Sequence, residues 1–184
     1  MPKTILCFVG LIASGKDASK KYLEEKYGAT SFRFSSILRE ALDALGIEKN
    51  RDNLITLSTW ARQNFGEDLL AKTLTKKVEE SDKEFIIIDG ARRLSDLIYL
   101  KKLPCFHLIA IEAEPKIRYQ RSLSRNENVG DAEKSYDTFL LDHEKETEIT
   151  IPEIMATAEF SLDNNGTLDD LYVQIDKILE KVKD

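Results

Sequence analysis

The chain has 184 residues, 42% of them hydrophobic and 33% charged, a composition that fits one ordinary α/β domain and excludes disordered, collagen-like and membrane-embedded classes. Its formal net charge of −6 repels a polyphosphate backbone and excludes the broad basic footprint of a nucleic-acid binder, so any anionic ligand must be captured locally. No apolar run approaches the roughly 20 residues of a membrane span, and Cys7 and Cys105, both in apolar runs, read as small buried hydrophobes; a cytoplasmic, soluble monomer or small homo-oligomer is expected.

Thr4–Val9 is apolar and closes on Gly10, the pattern of a strand buried on both faces of a parallel sheet. Lys16–Tyr27 has helical spacing and stops at Gly28, a C-terminal cap, ahead of a short second strand over Thr30–Phe34. From Ser35 to Glu80 the chain reads as mostly helical. Leu38, Leu42 and Leu45, then Leu54, Leu57, Trp60 and Ala61, then Leu70, Leu74 and Val78 recur at amphipathic spacing, with breaks at Gly46 and Gly66. Phe85–Ile88 is a third strand ending in Asp89-Gly90; a short helical stretch around Leu94–Leu100 separates it from a fourth over Phe106–Ile111.

Pro115 opens a helix that runs through Arg125, Asn126–Asp137 is a polar loop or hinge, and a charged helix is expected over Tyr136–Glu148. The last strand, Glu159–Leu162, turns through Asp163-Asn164-Asn165-Gly166 into an amphipathic helix, Thr167–Val182, capped by Thr167. Five strands alternating with helices predict a three-layer α/β fold with a mainly parallel five-stranded sheet, in a single domain over 1–184. Within it, 35–80 and the shorter 118–150 are mainly helical segments. Such sheets bind ligands at the carboxyl ends of their strands. Gly10–Asp17, Ser35–Arg39 and Asp89–Arg93 all fall at those ends, so one cleft is expected.

Gly10-Leu11-Ile12-Ala13-Ser14-Gly15-Lys16 fits G-x-x-x-x-G-K between a strand and a helix, the context that makes a phosphate-binding loop of the pattern. Gly10, Ala13, Ser14 and Gly15 then present backbone N–H groups to the phosphates, the helix N-terminus adds its positive end, and Lys16 supplies a point charge. Where the pattern expects Ser or Thr, this chain has Asp17. Its carboxylate either ligates Mg²⁺, directly or through water, or only stabilises the helix N-terminus. Asp89, at a strand end, is placed to position Mg²⁺ or to receive the acceptor's proton, the alternative being a simple Asp-Gly turn. ATP and Mg²⁺ are the cofactors this pattern asks for.

The loop GLIASGKD, the segment FSSILREAL, the run IIIDGARR and the helix IRYQRSLSR, in that order across nearly the whole chain, resemble the nucleoside monophosphate kinase-like P-loop family. That family includes adenylate kinase, dephospho-CoA kinase and the deoxynucleoside monophosphate kinases. The resemblance implies a kinase that moves the γ-phosphoryl of Mg-ATP to a phosphate-bearing small molecule. It implies an acceptor-binding segment over 35–80, a lid-like segment over 118–150, and an acceptor site at Ser35, Ser36, Arg39 and Arg93, with Arg62 a weaker third arginine. It also implies donor-side and catalytic roles for Arg121 and Arg125, which share a helix face with Arg118, and an adenine-edge turn at Asn165. Arginine suits these tasks because its fork binds phosphate in bidentate fashion and keeps its charge.

Two departures stand out: no long zinc-binding insert is present in the lid, and Ala91-Arg92 follows Asp89-Gly90 where adenylate kinases carry an aromatic-proline pair. The acceptor expected first is a nucleoside or deoxynucleoside monophosphate, with dephospho-CoA as the alternative. A nucleotide-driven switch that only hydrolyses NTP is the competing class, disfavoured by the acceptor-side arginines. His107 reads as a strand residue with a satisfied ring and His143 as a solvated helix residue; neither has ligand spacing for zinc.

Overall fold

The computed structural model describes residues 3–125, 135–145 and 148–182. Its elements in chain order are β1 (Thr4–Val9), α1 (Lys16–Tyr27), β2 (Thr30–Arg33), α2 (Phe34–Ala44), α3 (Arg51–Phe65), α4 (Leu69–Glu80), β3 (Phe85–Asp89), β4 (Phe106–Glu112), α5 (Pro115–Arg125), α6 (Tyr136–Leu141), α7 (Ile151–Met155), β5 (Phe160–Asp163) and α8 (Leu168–Val182). The sheet is five-stranded in the order β2-β3-β1-β4-β5, and every pairing is parallel.

β1 sits in the middle, with all six of its residues buried. Because side chains alternate across a strand, it feeds two cores. Ile5, Cys7 and Val9 join Ile86, Ile88, Leu108 and Ala110 under α2, α4 and α7. Leu6 and Phe8 join Ile87, Ile109, Ile111 and Leu162 under α1 and α8. Strands apolar on both faces demand exactly such cover, and the three-layer architecture supplies it.

The helical region after β2 divides into α2, α3 and α4. α3 opens on Asn50, whose side chain accepts from the Asn53 amide at 2.9 Å, and it ends at Gly66. Trp60 does not join the core; it packs edge-on against Phe65 with its face in solvent, 52% exposed.

Two expectations, the helix over Tyr136–Glu148 and the burial of Cys105, need correcting. The helix expected over Tyr136–Glu148 stops at Leu141 and tightens into a 3-10 turn over Asp142–Glu144. A separate helix, α7, follows with Pro152 in its first turn, where a missing N–H costs nothing. The short helical stretch expected around Leu94–Leu100 is present as two 3-10 turns, Leu94–Leu97 and Leu100–Lys102. Cys105 is exposed, while Cys7 is fully buried; Cys105 takes a left-handed φ of 56° at the turn into β4, and its carbonyl accepts from the Ile5 amide.

Candidate active site

The loop between β1 and α1 is shaped by backbone and close packing. Ala13 has φ 59° and Gly15 φ 116°, so both turn the chain through the left-handed region. Gly15 has no room for a side chain: a Cβ there would stand 2.1 Å from Asn164 Nδ2. Asn164 is only 1% exposed. Its Nδ2 donates to the Ser14 carbonyl at 2.7 Å, and its backbone N–H donates to the Glu112 carbonyl at 2.8 Å. The β5–α8 turn thereby buttresses the loop from below.

Two buried oxygens at this junction, Ser14 Oγ and Asn164 Oδ1, have no hydrogen-bond partner. Unpaired buried oxygens are costly, and both border the loop whose amides and helix terminus suit a phosphate. Of the two, only the Ser14 hydroxyl can donate to a phosphate, whereas Asn164 Oδ1 is an acceptor; the fit to a nucleotide's phosphates rests on the loop amides, the helix terminus and Ser14 Oγ.

Lys16 opens α1 and folds back over the loop, its Nζ donating to the carbonyls of Gly10 at 2.6 Å and Leu11 at 3.1 Å. Burial pushes its ammonium below the ordinary lysine range, while the charges of Asp89 and Glu148 pull the other way. Lys16, Gly10, Ile12, Asp89, Arg92 and Glu148 line one cavity between this loop and the turn after β3.

Asp89 and Asp17 come together around a single cation. Arg33, the last residue of β2, donates from Nη2 to Asp17 Oδ1 at 2.9 Å, and its Nε stands 2.7 Å from Asp89 Oδ2. The donor set fits Mg²⁺: two hard carboxylate oxygens beside a phosphate-binding loop are what this ion takes, with phosphate oxygens and waters completing its shell.

Of the residues expected on an acceptor side, Ser35 and Ser36 lie half-buried in the first turn of α2, and Arg39 is exposed on the same helix. Arg93 is half-exposed and pairs through Nη1 with Glu67 Oε2 at 2.8 Å. Arg62 is 7% exposed and already engaged: Nη2 meets Asp96 Oδ1 at 2.8 Å and Nη1 donates to the Glu67 carbonyl. Asp96 Oδ2 in turn accepts from the Arg92 and Arg93 amides. Arg62 thus anchors the turn that carries Arg92 and Arg93.

On the donor side, Arg121 donates to the carbonyls of Asn164 at 2.8 Å and Gly166 at 3.4 Å. Asn165 Oδ1 accepts from the Glu114 amide at 2.7 Å, so it joins the β5–α8 turn to the start of α5, whereas its neighbour Asn164 is the one that reaches the loop. Arg125 ends α5; its side chain lies outside the described residues, as does 126–134 of the lid-like segment.

Arg118 is 4% exposed. It donates to the Ala113 carbonyl at 2.9 Å and the Ile12 carbonyl at 3.3 Å, and lies over the Phe139 ring. Its Nη1 is 2.6 Å from His143 Nε2, so His143 is a half-buried partner of a loop-bracing arginine and not a solvated residue. The His107 ring meets Glu159 Oε2 at 2.8 Å.

Sequence reasoning passed over Arg33, Arg92, Glu148 and Asn164. Arg33 carries a signal, since a cation at the carboxyl end of a strand in a parallel sheet faces the ligand cleft. Arg92 was hidden beside Arg93; the cavity and an ion pair with Glu148 single it out. Glu148 carries no local signal, because only the fold of the lid-like segment brings it to β3.

A family model described as an AAA domain matches residues 9–139. Among curated proteins, the chain is 27% identical over 180 residues to a UPF0200 protein of Methanococcus maripaludis, covering 97% of each chain. It is also 26% identical to a UPF0200 protein of Methanocaldococcus jannaschii, over 97% of this chain and 90% of that one. Among solved structures, a shikimate kinase from Bacteroides thetaiotaomicron superposes with TM-score 0.67 at 12% identity, over 96% of this chain and 98% of that one. A Thermus thermophilus protein, TT1252, superposes with TM-score 0.66 at 17% identity, over 98% of both. At these identities the structural likeness is one of fold, and the fold is that of P-loop kinases.

Proposed function

This chain belongs to the AAA-domain family whose model spans most of its length, and from that membership we propose that it is an ATP-dependent phosphotransferase. It moves the γ-phosphoryl of Mg-ATP to a phosphate-bearing small molecule, a nucleoside or deoxynucleoside monophosphate first and dephospho-CoA second. The observation that carries this reading is the shared cavity of Lys16, Asp89 and Arg92, which sets a phosphate-binding loop, a metal-suited carboxylate and an arginine around one space. A hydrolytic switch needs the first two only; the arginines at Arg33, Arg92 and Arg93 give an acceptor's anion somewhere to bind.

In this reading the loop amides of Gly10, Ala13, Ser14 and Gly15 hold the donor's phosphates, and Lys16 turns from the loop carbonyls to the transferred group, where its charge offsets what develops. Mg²⁺, when bound, would supply positive charge against the donor's phosphates. Asp17 and Asp89 hold it. Arg39 and Arg93, with Ser35 and Ser36, take the acceptor's phosphate, and Arg62 positions Arg93 through Asp96. Arg121 and Arg125 act from the donor side, and Asn165 orders the turn at the adenine edge.

In this reading the enzyme is cytoplasmic and acts as one domain, as a monomer or small homo-oligomer; no helix among the described residues is long and apolar enough to cross a membrane. The deciding experiment is a coupled ADP-release assay over nucleoside monophosphates, deoxynucleoside monophosphates, dephospho-CoA, phosphomevalonate and shikimate. Stimulation by one phosphorylated class supports the proposal. ADP release that no acceptor accelerates would replace it with the switch reading.

A further inference from the structure

Arg33 is held in register with Asp89 by the β2–β3 pairing, so its position at the mouth of the site is fixed by the sheet. Its two carboxylate contacts differ in kind. The bond from Nη2 to Asp17 is a directed hydrogen bond. At the other, the Nε is buried and close to Asp89, yet its N–H has no aligned acceptor. That attraction is one of charge for charge, of the sort that any cation in the same place would satisfy.

The carboxylates Arg33 touches are the two that suit a divalent ion. A guanidinium in contact with both and a metal in contact with both cannot share the space, so one must yield. Arg33 is able to: its side chain is 41% exposed, and it stands at the N-cap of α2, beside Ser35 and Ser36.

Resting on the phosphotransferase reading, we propose that Arg33 is a built-in placeholder for the divalent cation. It neutralises Asp17 and Asp89 in the nucleotide-free protein and releases them only to a metal that arrives on a polyphosphate. Free Mg²⁺ is thereby kept out, because it would have to displace a guanidinium with no phosphate charge to help it. The released fork is left at the start of the acceptor segment, so metal loading presents a cation to the acceptor's anion.

The test uses the full-length, nucleotide-free protein and Mn²⁺ as probe, with binding read from loss of the free-ion signal in electron paramagnetic resonance. Arg33→Met keeps the stem and removes the charge; it should bind Mn²⁺ about tenfold more tightly than wild type, the scale of one charge-assisted contact. Adding Asp17→Asn to Arg33→Met should return the affinity to wild type or below. Arg33→Lys, which reaches one carboxylate at a time, should fall between wild type and Arg33→Met, and it serves alone if the methionine variant does not fold. An Mn²⁺ affinity unchanged within twofold in the folded variants, or tightening that survives Asp17→Asn, overturns the proposal. Because the titration contains neither nucleotide nor acceptor, its failure leaves the phosphotransferase reading standing. Equally, an acceptor panel with no response would sink that reading and leave the metal result intact.

Discussion

Asn164 and Ser14 are 150 residues apart in sequence and joined by a 2.7 Å hydrogen bond buried under the phosphate-binding loop. Asn164→Ala removes the donor and leaves the Ser14 carbonyl buried without it, at a cost of roughly 1–3 kcal/mol. Asn164→Asp should be worse than alanine, since a carboxylate oxygen would face a carbonyl oxygen. Urea denaturation measures the first effect and nucleotide titration calorimetry the loosening of the loop. A variant with wild-type stability and nucleotide affinity would mean that the loop holds its shape unaided.

Lys16→Ala should lower phosphoryl transfer by about 10²–10³-fold, the usual scale for losing one group that stabilises developing charge. Circular dichroism and melting should stay near wild type, since the hydrogen bonds from Lys16 to Gly10 and Leu11 both stay within its own loop. Turnover within a few-fold of wild type, in steady-state ADP release, would remove Lys16 from the chemistry.

Arginines on the two sides should separate kinetically. Arg93→Ala should raise the acceptor's KM about 10- to 150-fold with ATP binding nearly unchanged, the loss of one charge-assisted contact. Arg121→Ala should mainly lower kcat and also loosen the β5–α8 turn whose carbonyls it holds. Both are read from initial rates at varied acceptor and fixed ATP; acceptor kinetics within twofold of wild type for Arg93→Ala would contradict its assignment.

The Arg62–Asp96 pair is buried on both sides, at 7% and 2% exposure. Asp96→Ala strands a buried guanidinium and two backbone amides, so a loss of about 3–5 kcal/mol is expected. Asp96→Ala/Arg62→Met should recover part of that loss, because no unpaired charge remains, but not all, because the Arg92 and Arg93 amides still lack their acceptor. Denaturation midpoints of the single and double variants decide it, and full recovery would show that the amides are satisfied elsewhere.

Asp176 joins α8 to α1 through Tyr22, Tyr27 and Lys26. Burial works to raise its carboxyl, but the hydrogen bonds from Lys26, Tyr27 and Tyr22 outweigh it and hold the group below the usual carboxylate range. A carboxyl depressed in the folded state stabilises fully above its unfolded pKa, near 4, and that contribution drains away as the pH falls further. Asp176→Asn should therefore cost about 1–2 kcal/mol at pH 7 and show a flatter decline toward pH 3. Urea midpoints across that range check the slope; parallel curves would exclude Asp176 as a source of acid sensitivity.

Much of the fold was legible because the central strands β1, β3 and β4 are short, apolar runs, closed at Val9-Gly10 and Asp89-Gly90 by glycine. Helices α1 and α8 announce themselves by spacing and caps. The region after α5 did not, since its helix breaks at Leu141 and its restart depends on Ile151 and Ile154 packing under the sheet, a tertiary cause with no local mark. The loop and Asp89 were visible as pattern and position. Arg33, Arg92 and Glu148 were not, because a charged side chain looks the same in sequence whether solvent or a buried partner surrounds it.

The central strand comes before both of its neighbours in the chain: one edge of β1 must wait for β3 and the other for β4. During synthesis on the ribosome, an apolar segment with two open edges is thus exposed while more than half the chain is still to be made, the situation in which parallel sheets fold slowly and self-associate. Nascent chains stalled before Glu112 should lean on holdase chaperones, and codon or truncation changes between α2 and β4 should affect soluble yield far more than the same changes in α8.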